Sequence, residues 1–146
     1  MRISSKGDYG LRALFDLAQR YGEGPIQSDD IATRQGVPVN YLNQLLIIMR
    51  RAGLIESIRG PQGGHLLARS PDQITLLEIL TVLEGQFIAS DSGRDDLRPL
   101  QLDDSEIINN VWNDIRTTLE DRLRAVTLED LCQRKRQREG SVMYYI

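Results

Sequence analysis

The segment "SDDIATRQGVPVNYLNQLLIIMRRAG", residues 28–53, divides into two short helical patterns at a single glycine. Ser28 reads as the N-cap of the first, because its oxygen can accept from the unpaired N–H groups of a helix start, and Asp29 and Asp30 suit the positive end of the helix dipole. Gly36 is the stop. Pro38 opens the second pattern, where Leu42, Leu45, Leu46 and Met49 share one face and Gly53 is the terminator. A turn of three or four residues leaves the two helices no choice but to pack against each other, which is the outline of a helix-turn-helix. The rest of the chain must cover that pair.

The flanks supply the cover. Leu11, Leu14, Phe15, Ala18 and Tyr21 recur at steps of three and four, predicting a helix of about four turns from Lys6 to Tyr21 before "GEGP". After Gly53, "LIESI" alternates apolar and polar residues, "RGPQGG" breaks the chain, and "HLLA" resumes an extended pattern. Three helices and a hairpin make a mainly α fold with a small β-hairpin, a winged helix-turn-helix. "SPDQ" is a turn, and Thr75 with Glu78 forms a capping box for a fourth, core-packing helix, "LLEILTVLEG". Residues 85–104 are polar, acidic and aperiodic and read as a loop. A long helix follows from Ser105 to Ala125, with Ile108, Trp112, Ile115, Leu119 and Val126 close to a heptad seam that asks for a partner helix. Thr127 can cap a brief "LEDLCQRK", a basic cluster runs from Arg134 to Arg138, and "GSVMYYI" ends the chain. The expected organisation is a head over 1–70, a core helix and sensor-type loop over 71–104, and a dimerisation helix with its tail over 105–146.

Composition limits the function classes. Hydrophobic residues at 40% and charged residues at 27% of 146 are ordinary globular values. The N-terminus has no apolar signal region, and no run approaches the roughly 18 apolar residues that span a bilayer, so a soluble, cytoplasmic protein with no membrane partner is expected. Cys132 is the single cysteine, which rules out an intrachain disulfide. It reads as a buried hydrophobe more readily than as a sensor. Charge is uneven: residues 1–70 hold nine Lys/Arg against six Asp/Glu, net +3, and residues 71–146 hold nine against fifteen, net -6. A basic front half is compatible with a polyanionic partner.

"RGPQGG" matches neither G-x-x-x-x-G-K-[ST] nor a G-x-G-x-x-G turn into a helix, so it does not cradle a phosphate. Two readings remain: Gly60, Pro61, Gly63 and Gly64 only turn a hairpin, or they leave a slim tip from which Arg59 enters a minor groove about 6 Å wide. The preceding helix-turn-helix favours DNA. Asn40, Tyr41, Asn43 and Gln44 occupy the first turns of the second helix, where such helices read bases, and amides can pair with adenine N6 and N7. Arg50, Arg51, Lys6 and Arg2 are candidate phosphate neutralisers. His65, the sole histidine, has no partner for catalysis or metal binding and is either a surface or packing residue or a phosphate contact. No acid–base pair suggests an enzyme, and a protein-interaction module is the reading that competes with a DNA-binding regulator.

With "RRAGLIESIRGPQGGHLLAR" and "ITLLEILTVLEG" in view, the chain resembles the Rrf2 family of bacterial winged-helix transcription regulators. The resemblance starts at "ISSKGDYGLRAL" and runs to "TLEDL". It implies a homodimer formed through the long helix, palindromic double-stranded promoter DNA, a wing arginine, Arg59, in the minor groove, base reading among Asn40, Tyr41, Asn43 and Gln44, and a backbone contact from Tyr9. Many members hold an iron-sulfur cluster on three cysteines in the loop after "VLEG"; residues 85–104 here contain none, so a family-type cluster is excluded unless another ligand set exists, and no cofactor is expected. A cluster-free branch, the cysteine-metabolism repressors, is also resembled in the "MYYI" ending. That branch is regulated through a complex with cysteine synthase, so Tyr145 and Ile146 are candidate partner residues, with packing of the tail on its own dimer as the alternative.

Overall fold

The computed structural model describes residues 2–85 and 102–144. Helices α1 (Ser5–Gln19), α2 (Ser28–Gln35) and α3 (Val39–Arg51) are followed by strands β1 (Ile55–Ile58) and β2 (Gly64–Leu67). A short 3-10 turn at Pro71–Gln73 leads into α4 (Leu76–Glu84), and α5 (Leu102–Arg124) and α6 (Leu128–Tyr144) complete the described chain. No helix among the described residues is long and apolar enough to cross a membrane.

The core forms where the apolar stripes of the first three helices meet. Ala13, Leu14 and Leu17 of α1, Ile31 of α2 and Leu42, Leu45, Leu46 and Met49 of α3 are buried together, closed by Ile55 and Leu67 of the hairpin, Ile79 and Leu83 of α4, and Leu128 and Cys132 of α6. Gly10 lets α1 approach α4, since a Cβ there would stand 2.4 Å from Leu83 Cδ1. One charged group lies inside. Asp16 is buried between α1 and α2 and takes two bonds from Arg34, Nε at 2.9 Å and Nη2 at 2.8 Å, with Arg20 Nη1 at 3.1 Å and Gln35 Nε2 at 3.2 Å. Burial alone would raise its pKa, but the bonds from Arg34 and Gln35 and the charges of Arg20 and Arg34 together bring it below the ordinary 3.8. Every buried side-chain nitrogen and oxygen among the described residues has a partner.

Several expectations are corrected. Ser28 is the first residue of α2, not its cap; Gln27 holds the cap position and its side chain makes no capping bond. The reason is long-range: Ile26 exchanges backbone bonds with His65, at 2.9 and 2.8 Å, as an isolated antiparallel bridge beside β2, and the chain turns helical immediately afterwards. Helix α1 ends at Gln19, leaving Tyr21 exposed. Thr75 Oγ1 does accept from Glu78 N–H at 3.2 Å, but the Glu78 carboxylate pairs with Arg69 and does not close the box. At Thr127 the box is complete: Asp130 N–H donates to its hydroxyl at 3.1 Å, and its own N–H donates to Asp130 Oδ2 at 2.9 Å.

Helix α5 begins at Leu102, inside the segment read as a loop, and ends at Arg124. Val126 is therefore not part of a helical seam. It lies in the turn to α6, where its carbonyl accepts from Leu76 N–H at 2.9 Å while Leu128 N–H donates to Ile74 O at 3.0 Å. These bonds fasten the C-terminal helices to the start of α4. Helix α6 is not brief either: it runs through the basic cluster and Gly140 to Tyr144. Tyr145, Ile146 and most of the 85–104 segment lie outside the described residues.

Candidate nucleic-acid interface

Helix α3 presents two opposed faces. At 100° per residue, positions 40, 43, 44, 47 and 51 fall within a sector about 100° wide. Asn40, Asn43, Gln44, Ile47 and Arg51 on that sector are all exposed, and the buried Leu42, Leu45, Leu46 and Met49 stand opposite. Arg50 is exposed at the sector's edge. Tyr41 leaves the row. It is half-buried, edge-on to Tyr9 of α1 with ring centroids 5.8 Å apart at 77°, a contact that braces the first turn of α3. Arg2 is exposed ahead of α1, and Lys6 is half-buried in its first turn.

The wing is a four-pair antiparallel ladder from Ile55↔Leu67 to Ile58↔Gly64. Arg59 is exposed on its turn, which Gly63 N–H closes by donating to Gly60 O at 2.9 Å. Gly60 needs its positive φ of 115° for this turn. The other two glycines answer to close packing: a Cβ on Gly63 would lie 2.0 Å from Ile58 O, and one on Gly64 would lie 2.5 Å from Ile26 O. Gln27 Nε2 also donates to Pro61 O at 3.4 Å, tying the wing tip to the start of α2.

His65 pairs across the ladder with Ser57, its Nδ1 hydrogen-bonded to Ser57 Oγ at 2.8 Å. Burial first, and the positive charge of Arg50 second, hold its pKa below the usual 6.5, so the ring is neutral at neutral pH. Arg50 lies in the last turn of α3, and α3 packs against strand β1 of the wing. Cys132 is packed in the core, and burial pushes its thiol pKa up, with the Glu129 carboxylate adding to the effect. Among the described residues no group of His, Cys, Asp or Glu is placed to hold a metal ion.

Sequence reasoning missed three features here. The Asp16 cluster was signalled only by an acid within the apolar run of α1 and an arginine four residues on. Ile47 was hidden within "LLIIM", where helical phase, not composition, separates the exposed residue from its buried neighbours. On α5 the exposed apolar face is wider than a heptad seam: Ile107 is 63%, Ile108 54%, Val111 50%, Trp112 62% and Ile115 53% exposed. Leu119 is half-buried nearer the core, and Leu123 is buried.

A family model described as "Rrf2: Iron-dependent Transcriptional regulator" matches residues 3–134. The HTH-type transcriptional regulator CymR of Bacillus subtilis (strain 168) is 36% identical over 148 residues, covering all of both chains. The HTH-type transcriptional regulator IscR of Pectobacterium carotovorum is 35% identical over 92% of this chain and 81% of its own. Among solved structures, T. potens IscR superposes with a TM-score of 0.74 at 38% identity, covering 92% of this chain and 88% of its own. The structure of CymR from B. subtilis gives the same TM-score of 0.74 at 38% identity, covering 91% and 97%. Three helices and an antiparallel wing agree with these likenesses, and the chain belongs to the Rrf2 family as a DNA-binding, helix-turn-helix transcriptional regulator rather than an enzyme.

Proposed function

We propose that this regulator is a repressor that binds palindromic promoter DNA as a homodimer and needs no iron-sulfur cluster to do so. The observation that carries the reading is the exposed row of Asn40, Asn43 and Gln44 on α3, a helix that packs against strand β1 of the wing that holds Arg59. Three amides on one surface, with Arg50 and Arg51 at the far end, can exchange paired hydrogen bonds with adenine edges while the cations neutralise phosphates. Arg59, standing on a narrow turn, suits the negative potential of a minor groove. Tyr9 acts through Tyr41 in this reading, holding the first turn of α3 in place. Two copies joined along the apolar face of α5 would present two such heads to half-sites about 34 Å apart.

The donor set does not fit a family-type cluster. Such clusters are held by several thiolates, and this chain's one cysteine is Cys132, in the core and held in its protonated form. Selection of bound fragments from genomic DNA, followed by promoter transcription in vitro, tests the whole reading. A palindromic operator, a two-to-one complex, and transcription that falls as protein is added are expected; one copy on an asymmetric site, or rising transcription, overturns it. Anaerobically purified protein should lack visible absorbance and bind equally well.

A second reading concerns the tail and is favoured by the likeness to CymR, described as the global cysteine regulator of B. subtilis. Tyr145 and Ile146 would be captured by cysteine synthase. Adding that enzyme should then change operator binding by the intact chain and not by a chain lacking Ile146.

A further inference from the structure

We propose that Ile47 is a specificity-determining residue that reads a thymine of each half-site through its C5 methyl group. The inference rests on α3 being the helix that enters the major groove.

Ile47 is 43% exposed, in the middle of α3, on the same sector as Asn40, Asn43, Gln44 and Arg51. The other exposed large apolar residues of the head, Ile3, Tyr21 and Ile58, lie off this helix. The position gains little from isoleucine in the free protein. A β-branched side chain loses rotamer freedom on a helix, and one that stays 43% exposed recovers only part of its burial in return. Single exposed apolar residues are common on protein surfaces, but this one is bounded on the same face by hydrogen-bonding side chains on both sides. In the major groove an A·T pair offers one apolar feature, the thymine methyl, beside the acceptors and donors that amides read. An apolar branched side chain between amides and arginines therefore matches a run of base edges in which a methyl follows an adenine.

Spacing makes the match specific. A helix rises 1.5 Å per residue, so Ile47 stands about 4.5 Å beyond Gln44 and about 6 Å beyond Asn43. Base pairs step by about 3.4 Å, so the thymine lies about one to two steps from the base met by Asn43 or Gln44. Burying one methyl against an aliphatic side chain is worth about a fourfold change in affinity.

The experiment uses the full chain and the operator recovered by selection. Each thymine is replaced in turn by deoxyuridine, which removes only the methyl, and affinity is read by fluorescence anisotropy for the wild-type protein, Ile47→Ala and Ile47→Val. At one position per half-site deoxyuridine should cost wild type about fourfold, Ile47→Val less, and Ile47→Ala nothing. Because Ile47 is exposed, the thermal midpoint of Ile47→Ala should equal that of wild type, so lost discrimination cannot come from unfolding. Salt-sensitive DNA binding in which Ile47→Ala pays the same deoxyuridine penalties as wild type, or in which no thymine position is sensitive, overturns this inference and leaves the DNA-reading role of α3 standing. Failure to bind any DNA at low salt overturns both.

Discussion

Helix α3 and the first half of α5 carry apolar residues at similar helical spacing, yet they end in opposite states. Leu42, Leu45, Leu46 and Met49 of α3 are buried by α1, α4 and the hairpin of their own chain, and what remains outside is polar apart from Ile47 and the half-buried Ile48 and Val39. On α5 it is Ile107, Ile108, Val111, Trp112 and Ile115 that face solvent. An apolar stripe specifies that a face will be covered; it does not say by what. The head is finished within one chain, whereas α5 leaves five large apolar side chains on one face at least half exposed, and exposed apolar patches of that kind mark association sites. The sharpest way to break this contrast is a charge on each stripe. In the proposed homodimer, Trp112→Asp should leave the head folded and separate the two copies, lowering operator affinity about a thousandfold because the second half-site no longer binds intramolecularly. Light scattering and anisotropy report the two effects together. Leu45→Asp should instead unfold the head, and a Trp112→Asp protein that stays dimeric would show that α5 is covered in some other way.

Within the head, the next largest effect is expected at Asp16. Asp16→Ala removes a buried carboxylate and its charge-assisted bonds while Arg34 and Arg20, each about a third exposed, are free to hydrate, so it should lower the urea unfolding free energy by about 2 kcal/mol. The pH dependence carries the diagnosis. The folded pKa lies below 3.8 because the bonds from Arg34 and Gln35, with the neighbouring arginine charges, outweigh the desolvation that opposes them. Its stabilisation is therefore present above about pH 4 and is lost as pH falls through the folded value. Asp16→Ala should remove that part of the acid transition while leaving α5 association untouched.

The same division explains what could be read in advance. The apolar face of α3, the stops at Gly36 and Gly53, and the hydroxyl caps at Thr75 and Thr127 depend on residues within four positions of one another, and all were legible. Features set by distant partners were not. Ser28 looked like a cap because its partner in the argument was local, but Ile26 is held by His65, 39 positions on, and shifts the helix start. Glu78 satisfied a local pattern and is drawn instead to Arg69. The length of α6 is hidden in the sequence because residues 133–141 are polar and glycine-containing and carry no apolar period past Cys132; ion pairs such as Arg136 to Glu129, at 2.7 Å, lie along it. At the candidate site, a solvent-facing Asn40, Asn43, Gln44 and Arg59 follows from residue type and position, whereas the place of Tyr41 depends on the Tyr9 ring, a partner 32 positions away.

A smaller effect separates the wing from the recognition helix. Arg59→Ala should weaken operator binding about tenfold, with the dimer intact and the salt slope reduced by about one. Anisotropy at several salt concentrations checks both numbers. An unchanged affinity would mean that the turn serves only to close the hairpin.

The smallest effect is expected six residues further on, at His65, and the reason is the geometry of its ring. Nδ1 is engaged by Ser57 Oγ at 2.8 Å and the backbone by Ile26, so the residue is committed to holding the wing on the head. Glutamine can keep a hydrogen bond to Ser57 from the same strand position, and His65→Gln should change operator affinity by less than about twofold at pH 8, well below the scale of a lost base contact. Its trace should appear in stability instead. With the folded pKa held below 6.5 by burial and by Arg50, the unfolded chain takes up the proton first as pH falls, so the wild type gives up stability below about pH 6.5 until the folded value is passed. Urea midpoints at pH 8 and pH 5.5 should converge in His65→Gln relative to wild type. A large loss of DNA binding at pH 8 would instead assign the ring to a phosphate and place the wing's contact surface on β2 as well as on its tip.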